Sequence, residues 1–140
     1  MLYLDTSALL PYYRQEAHSE AVQRLLQSQA DPVLISDLTR LEFASALSRW
    51  VRMDEIEEAH AQRLSRALDE DIKANRYALC RNTLEHTELA RHWLLARNTS
   101  LRTLDALHLA CAATEGAALV TLDDALRSAA ISLGIESHEF

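Results

Sequence analysis

The chain has 140 residues, a length that suits one domain spanning 1–140 with a real core, since folding at this size hides roughly two thirds of the unfolded surface. Apolar residues make up 49%, which excludes a disordered chain, and no apolar run approaches the ~20 residues needed to cross a bilayer. The formal net charge of −7 speaks against a broad basic face for nucleic acid, although the cations are almost all Arg, the side chain suited to bidentate phosphate contact.

Leu2 to Asp5 predicts a short buried strand, apolar throughout as in parallel sheets. Thr6 and Ser7 offer a cap for a first helix, which Pro11 should keep short or distorted. Glu16 to Ala30 carries apolar residues at Ala17, Ala21, Val22, Leu25 and Leu26, an amphipathic helical spacing. Asp31 and Pro32 punctuate a turn into a second strand, Val33 to Ser36. Asp37 is expected to cap the next helix, with Leu38, Leu41, Ala44, Leu47 and Val51 as its stripe. Asp54 and Glu57 form a capping-box pattern that opens a further helix with Ile56, Ala59, Leu64, Ala67 and Leu68 inward. The helices over 38–52 and 54–72 should form a hairpin.

Tyr77 to Cys80 reads as a weak third strand. Thr83 caps a helix carrying Leu89, Ala90, Trp93 and Leu94, and Thr103 caps an apolar helix from Leu104 that Gly116 ends. Ala118 to Leu122 is a fourth strand. A short helix over Ala125 to Leu133 follows, ended by Gly134, and Ile135 to Phe140 adds an edge strand. Strands alternating with helices, with only two Gly and two Pro, imply an α/β fold with a parallel sheet covered on both faces. No basic leader precedes the first strand, which predicts a cytoplasmic protein. Cys80 and Cys111 match no zinc or redox spacing and are expected as separate buried thiols. His108 lies one helical turn after Asp105, within reach of the site edge, although a place in the core or on the helix surface is the expected one.

Four acids stand where apolar runs give way to polar or helix-starting segments: Asp5, Glu42, Asp105 and Asp123. In a parallel sheet the carboxyl ends of the strands share one edge, where open α/β folds put their ligands. Crowded carboxylates raise each other's pKa, and a divalent ion relieves the conflict; oxygen donors suit Mg2+ or Mn2+. Such a site can activate water and hold the charge that builds in phosphodiester hydrolysis. Ser7 and Thr121 have hydroxyls near the same edge, and Arg102 is placed to meet a phosphate or pair with an acid. Each acid also has an ordinary reading, since Asp after a strand commonly caps a helix. Asp124 is read as such a cap and left out of the site.

The opening Tyr3-Leu4-Asp5-Thr6-Ser7-Ala8-Leu9, then Glu42, then Leu101-Arg102-Thr103-Leu104-Asp105-Ala106-Leu107-His108-Leu109-Ala110, then Leu119-Val120-Thr121-Leu122-Asp123 resemble, in order, the four motifs of the PIN-domain family. They are most similar to the toxin ribonucleases of VapBC toxin–antitoxin pairs. Pro11, Tyr12 and Tyr13 depart from the usual aliphatic first helix. The resemblance implies a three-layer fold with 4–5 parallel strands and about seven helices. It implies a Mg2+- or Mn2+-dependent endoribonuclease with Asp5, Glu42, Asp105 and Asp123 as catalytic metal ligands. It also implies RNA as substrate, a homodimer, and a cognate antitoxin forming a heterotetramer or larger, with the 38–72 hairpin as the place of much of that contact. The alternative is a PIN nuclease of RNA maturation or decay with no antitoxin. A haloacid-dehalogenase-like phosphatase needs an Asp where Ser7 stands. A receiver domain needs a lysine near the last strand, and Lys73 is the only one. A P-loop needs glycines that are lacking.

Overall fold

A computed structural model describes all 140 residues. In chain order the elements are β1 (Leu2–Leu4), α1 (Thr6–Tyr13), α2 (Ser19–Gln27), β2 (Val33–Ser36), α3 (Asp37–Arg52), α4 (Glu58–Lys73), β3 (Tyr77–Cys80), α5 (Leu84–Ala96), α6 (Thr103–Thr114), β4 (Ala118–Val120), α7 (Asp124–Ser132) and β5 (Ser137–His138). The five strands form one parallel sheet in the order β3-β2-β1-β4-β5, with β1 at its centre. Leu2, Tyr3 and Leu4 pair with Ala118, Leu119 and Val120, while Val33 to Ser36 pair with Tyr77 to Cys80. All carboxyl ends therefore lie along one edge, as the alternation of strands and helices predicted.

The period-two alternation of strand side chains divides the core. Leu4, Ile35, Tyr77 and Val120 belong to one apolar cluster with Leu9, Val22, Phe43, Trp50 and Leu64 of the first four helices. Tyr3, Leu34, Cys80 and Leu119 belong to a second, with Leu109 and Cys111 of α6 and Leu126 of α7. Because both faces are covered, the strands are apolar rather than alternating.

The helix boundaries correct several expectations. Asp5, not Thr6 or Ser7, caps α1, accepting from the backbone N–H of Ala8 at 3.0 Å. Pro11 is buried inside this eight-residue helix, which stays short. Ser36 rather than Asp37 caps α3, in a reciprocal pairing with Thr39. Its buried face is Leu38, Thr39, Phe43, Ala46, Leu47 and Trp50, whereas Leu41 is 69% exposed. The expected stripe was out of phase because the aromatic pair Phe43 and Trp50 governs the packing. Asp54 is no cap: it sits at φ 56° in the turn, and α4 begins at Glu58. Arg102, not Thr103, holds the cap position of α6, and Asp123, not Asp124, caps α7. Gly116, at φ 63° just after α6, takes the left-handed conformation expected of it. Cys80 and Cys111 are both buried, as expected, but they are not separate: they meet across the packing of β3 against α6.

Candidate active site at the carboxyl edge

Asp5 follows the central strand, and its backbone N–H continues the ladder to the Val120 carbonyl. Its side chain is held from several directions. Thr121 Oγ1 donates to Oδ2 at 2.6 Å, and Ser7 Oγ donates to Oδ1 at 2.7 Å beside the Ala8 N–H. The residue is 4% exposed, and burial pushes its carboxyl upward despite those donors and the nearby His108. Ser7 Oγ also accepts from Leu122 N–H at 2.9 Å, and Asp123 N–H reaches Thr121 Oγ1 at 3.0 Å. Ser7 and Thr121 therefore tie the end of β4 to the end of β1, with Asp5 between them.

Glu42 is on α3, and Thr6 Oγ1 donates to its Oε1 at 2.8 Å. Nε2 of His108 meets the same oxygen, which is the main correction to the expectation for this histidine. His108 Nδ1 contacts Tyr3 Oη at 2.7 Å, and Tyr3 in turn donates to Ser36 Oγ at 2.9 Å. Burial pushes the Glu42 carboxyl up, but the bond and charge of His108 and the Thr6 hydroxyl outweigh it, and the net direction is down. The prediction that crowding raises these carboxyls thus fails at Glu42, where a histidine replaces the expected like charge. At Asp5 the direction is as expected, yet the cause is burial.

Asp105, in the first turn of α6, meets Arg102 Nε at 3.3 Å. Arg102 Nη2 lies 4.0 Å from Asp123 Oδ2, so one guanidinium spans two acids from two elements. Its side chain is 80% exposed, so the pairing adds little stability. Asp123 Oδ1 is occupied by the N–H groups of Ala125 and Leu126, which leaves Oδ2 facing Arg102. Arg127, which the sequence did not single out, donates to the Thr121 carbonyl at 2.6 Å and fixes the turn that carries Asp123. Glu42, Arg102, Thr103, Leu104 and Asp105 line a cleft of about 350 Å³.

All four acids belong to segments that meet at this edge, although no three of them bring oxygens within 4.8 Å of one another. The residues beneath them were the least visible in the sequence. Tyr3 and Ser36 looked like ordinary strand positions. The one signal for His108 was its place a turn after Asp105.

Comparison with known proteins agrees with this architecture. The family model for the PIN domain matches residues 2–132. Ribonuclease VapC35 of Mycobacterium tuberculosis is 34% identical, the alignment covering 96% of this chain and 93% of that protein. Among solved structures, M. tuberculosis VapC20, described as a sarcin-ricin loop cleaving toxin, superposes with a TM-score of 0.72 at 19% identity over 92% of this chain and 95% of that one. A chain from a toxin–antitoxin complex of Klebsiella pneumoniae gives 0.64 at 18% identity, over 88% and 87%. The ordered motifs, the sheet that gathers them and a match over nearly the whole length lead to one conclusion: this chain belongs to the PIN-domain family, alongside the VapC proteins.

Proposed function

We propose that this protein is an endoribonuclease that hydrolyses RNA phosphodiester bonds with Mg2+ or Mn2+ and serves as the toxin of a toxin–antitoxin pair. The observation that carries this reading is the gathering of Asp5, Glu42, Asp105 and Asp123 at one sheet edge, in a chain 34% identical to a named ribonuclease. The donor set fits a hard divalent ion, because the four acids offer carboxylate oxygens and the one nearby imidazole, His108, is engaged with Glu42 and Tyr3. Arg102 also lies between two of the acids, so a positive charge already suits that position. Asp5, Asp105, Glu42 and Asp123 would hold the ion, which when bound supplies an acidified water and charge stabilisation at phosphorus.

The chain's own residues set the geometry. Ser7, Thr121 and the Ala8 N–H orient both oxygens of Asp5. His108, braced by Tyr3 and Ser36, fixes Glu42 in its ionised form. Asp105 and Asp123 lie at helix N-termini, where the macrodipole favours carboxylates. Arg102, exposed at the rim, is placed to leave its acids and contact a phosphate.

The partner reading rests on the VapC relatives and on the hairpin of α3 and α4. Its seam holds a groove lined by the apolar Ala44, Leu47, Val51 and Ala61 and by the polar Ser48, Arg52, Glu58, Gln62 and Ser65, a mixture that suits an amphipathic helix. We place the antitoxin there and expect a homodimer within a heterotetramer or larger. No helix is long and apolar enough to cross a membrane.

The test is purified protein against a panel of RNAs, with Mn2+ or Mg2+, with chelator, and with Asp5→Asn as control. Cleavage by the wild type with metal alone is expected; equal cleavage by the variant or in chelator overturns the reading. Co-purification with a small tightly bound protein separates a toxin from a PIN nuclease of RNA maturation or decay.

A further inference from the structure

Beside the acidic cleft, the end of β3 and the first turn of α5 face the middle of α6. Three soft donors meet there. Cys80, His86 and Cys111 are all buried, and each offers a ligand atom within 4.8 Å of the other two. Cys80 Sγ is 3.9 Å from His86 Nε2 and 3.8 Å from a carboxylate oxygen of Glu115 at the end of α6. A tetrahedral zinc ion, with Zn–S near 2.3 Å and Zn–N near 2.0 Å, sets its ligand atoms about 3.5–3.8 Å apart. The Cys80–His86 separation needs to close by only a few tenths of an ångström, and the other two pairs by at most about 1–1.3 Å from the 4.8 Å limit.

We propose that Cys80, His86 and Cys111 bind one zinc ion, and that the exposed Glu115, 3.8 Å from Cys80 Sγ but outside the 4.8 Å cluster, swings in as the fourth ligand. The surrounding groups suit this. Asn82 Nδ2 donates to Cys111 Sγ at 3.2 Å, and its orientation is set because Asn82 Oδ1 accepts from Leu38 N–H at 3.0 Å. An N–H aimed at sulfur favours a thiolate over a thiol. His86 Nδ1 lies 3.0 Å from Thr83 Oγ1, which can accept the ring proton when Nε2 turns from the Thr114 hydroxyl to the metal. The Thr83 N–H now directed at Nδ1 belongs to an exposed residue, so water can take over that bond. Two thiolates, a neutral imidazole and one carboxylate leave the filled site with a charge of about −1. Without metal, burial above all pushes both thiols up, Cys80 to about 12, with the other thiol and Glu115 adding to it there. A coordinated cation reverses that order and deprotonates them. The ion would join the edge strand β3 to the α5–α6 pair, ligating positions distant in sequence whose spacing matches no zinc motif.

The site is independent of the ribonuclease reading and is tested without RNA. Reduced full-length protein is titrated with Co2+ in saturating Mg2+, so that the oxygen ligands of the cleft are already engaged. One equivalent should produce the near-ultraviolet thiolate-to-cobalt absorption and the intense visible bands of a tetrahedral centre. Zn2+ should displace the cobalt stoichiometrically. The Cys80→Ser/Cys111→Ser variant should lose both signals, and Glu115→Gln should loosen uptake by roughly tenfold. Absence of the absorption in folded wild type overturns the proposal, as does its persistence in the double variant. So does a Cys80–Cys111 disulfide that forms on mild oxidation at a rate Zn2+ does not slow.

Discussion

The acidic cleft and the thiol cluster stand at the carboxyl ends of strands of one sheet and differ in donor, burial and charge. In the cleft, Glu42, Asp105 and Asp123 are partly exposed oxygen donors, with Arg102 beside two of them and His108 beside Glu42. In the cluster, Cys80, His86 and Cys111 are buried sulfur and nitrogen donors, with a single carboxylate at the rim. Hard ions keep water and suit the first; a borderline ion that tolerates dryness suits the second. On the two proposals above, one sheet edge would hold two sites that select different cations. A wet site can exchange water and substrate, whereas a dry one can only hold structure.

The largest expected effect that breaks this contrast is Asp5→Asn. Cleavage of RNA should fall by on the order of 10³-fold, as when one preorganised electrostatic element is lost. Circular dichroism and the cobalt–thiolate absorption should be unchanged, since neither depends on Asp5. Next is removal of hard ions. Chelation should abolish cleavage, and Mg2+ alone should restore it without restoring the cobalt signal, which a fluorescent RNA assay and absorbance can follow together.

Smaller effects sharpen the comparison. His108→Phe leaves the Tyr3 hydroxyl and Glu42 without their shared partner. Urea melts should show a loss of about 1–3 kcal/mol, the scale of unsatisfied buried groups. A sign prediction follows for Asp5. Its folded pKa is raised, so the folded state binds the extra proton between its unfolded and folded values. The associated stability is present below the unfolded value and is lost as pH rises through the folded one. In chelator at neutral pH, Asp5→Asn should therefore raise Tm by roughly 2–6 °C, the shift of a change near 1 kcal/mol at this length. Glu42 has the opposite sign: its stabilisation is present above the ordinary carboxylate range and is lost as pH falls through its lowered value. The smallest effect belongs to Arg102→Ala. An ion pair on a side chain this exposed should change stability by under about 0.5 kcal/mol, and any activity change should appear in KM for RNA.

Several elements were legible before any coordinates. Short apolar runs at Leu2–Leu4, Val33–Ser36 and Ala118–Val120 can only be strands buried on both faces, and the helices between them impose parallel pairing. The acids after those runs were legible for the same reason, since chain direction puts every carboxyl end on one edge. The phase of α3 was not, because Leu41 and Phe43 are equally plausible inward residues until the neighbouring helices show which one has room. Helix caps were missed by one residue at α1, α3, α6 and α7, where adjacent polar side chains compete for the same N–H groups.

Which acids exist, and at which end of the strands Asp5 and Asp123 emerge, could be read from residue order. That followed from local pattern and chain direction, which need no knowledge of long-range contacts. Packing in three dimensions is what makes His108 brace Glu42, Arg102 span Asp105 and Asp123, and Cys80, His86 and Cys111 come together. These are meetings of side chains up to 66 positions apart, fixed by how α3, α5 and α6 pack, and spacing along the chain carries no record of them.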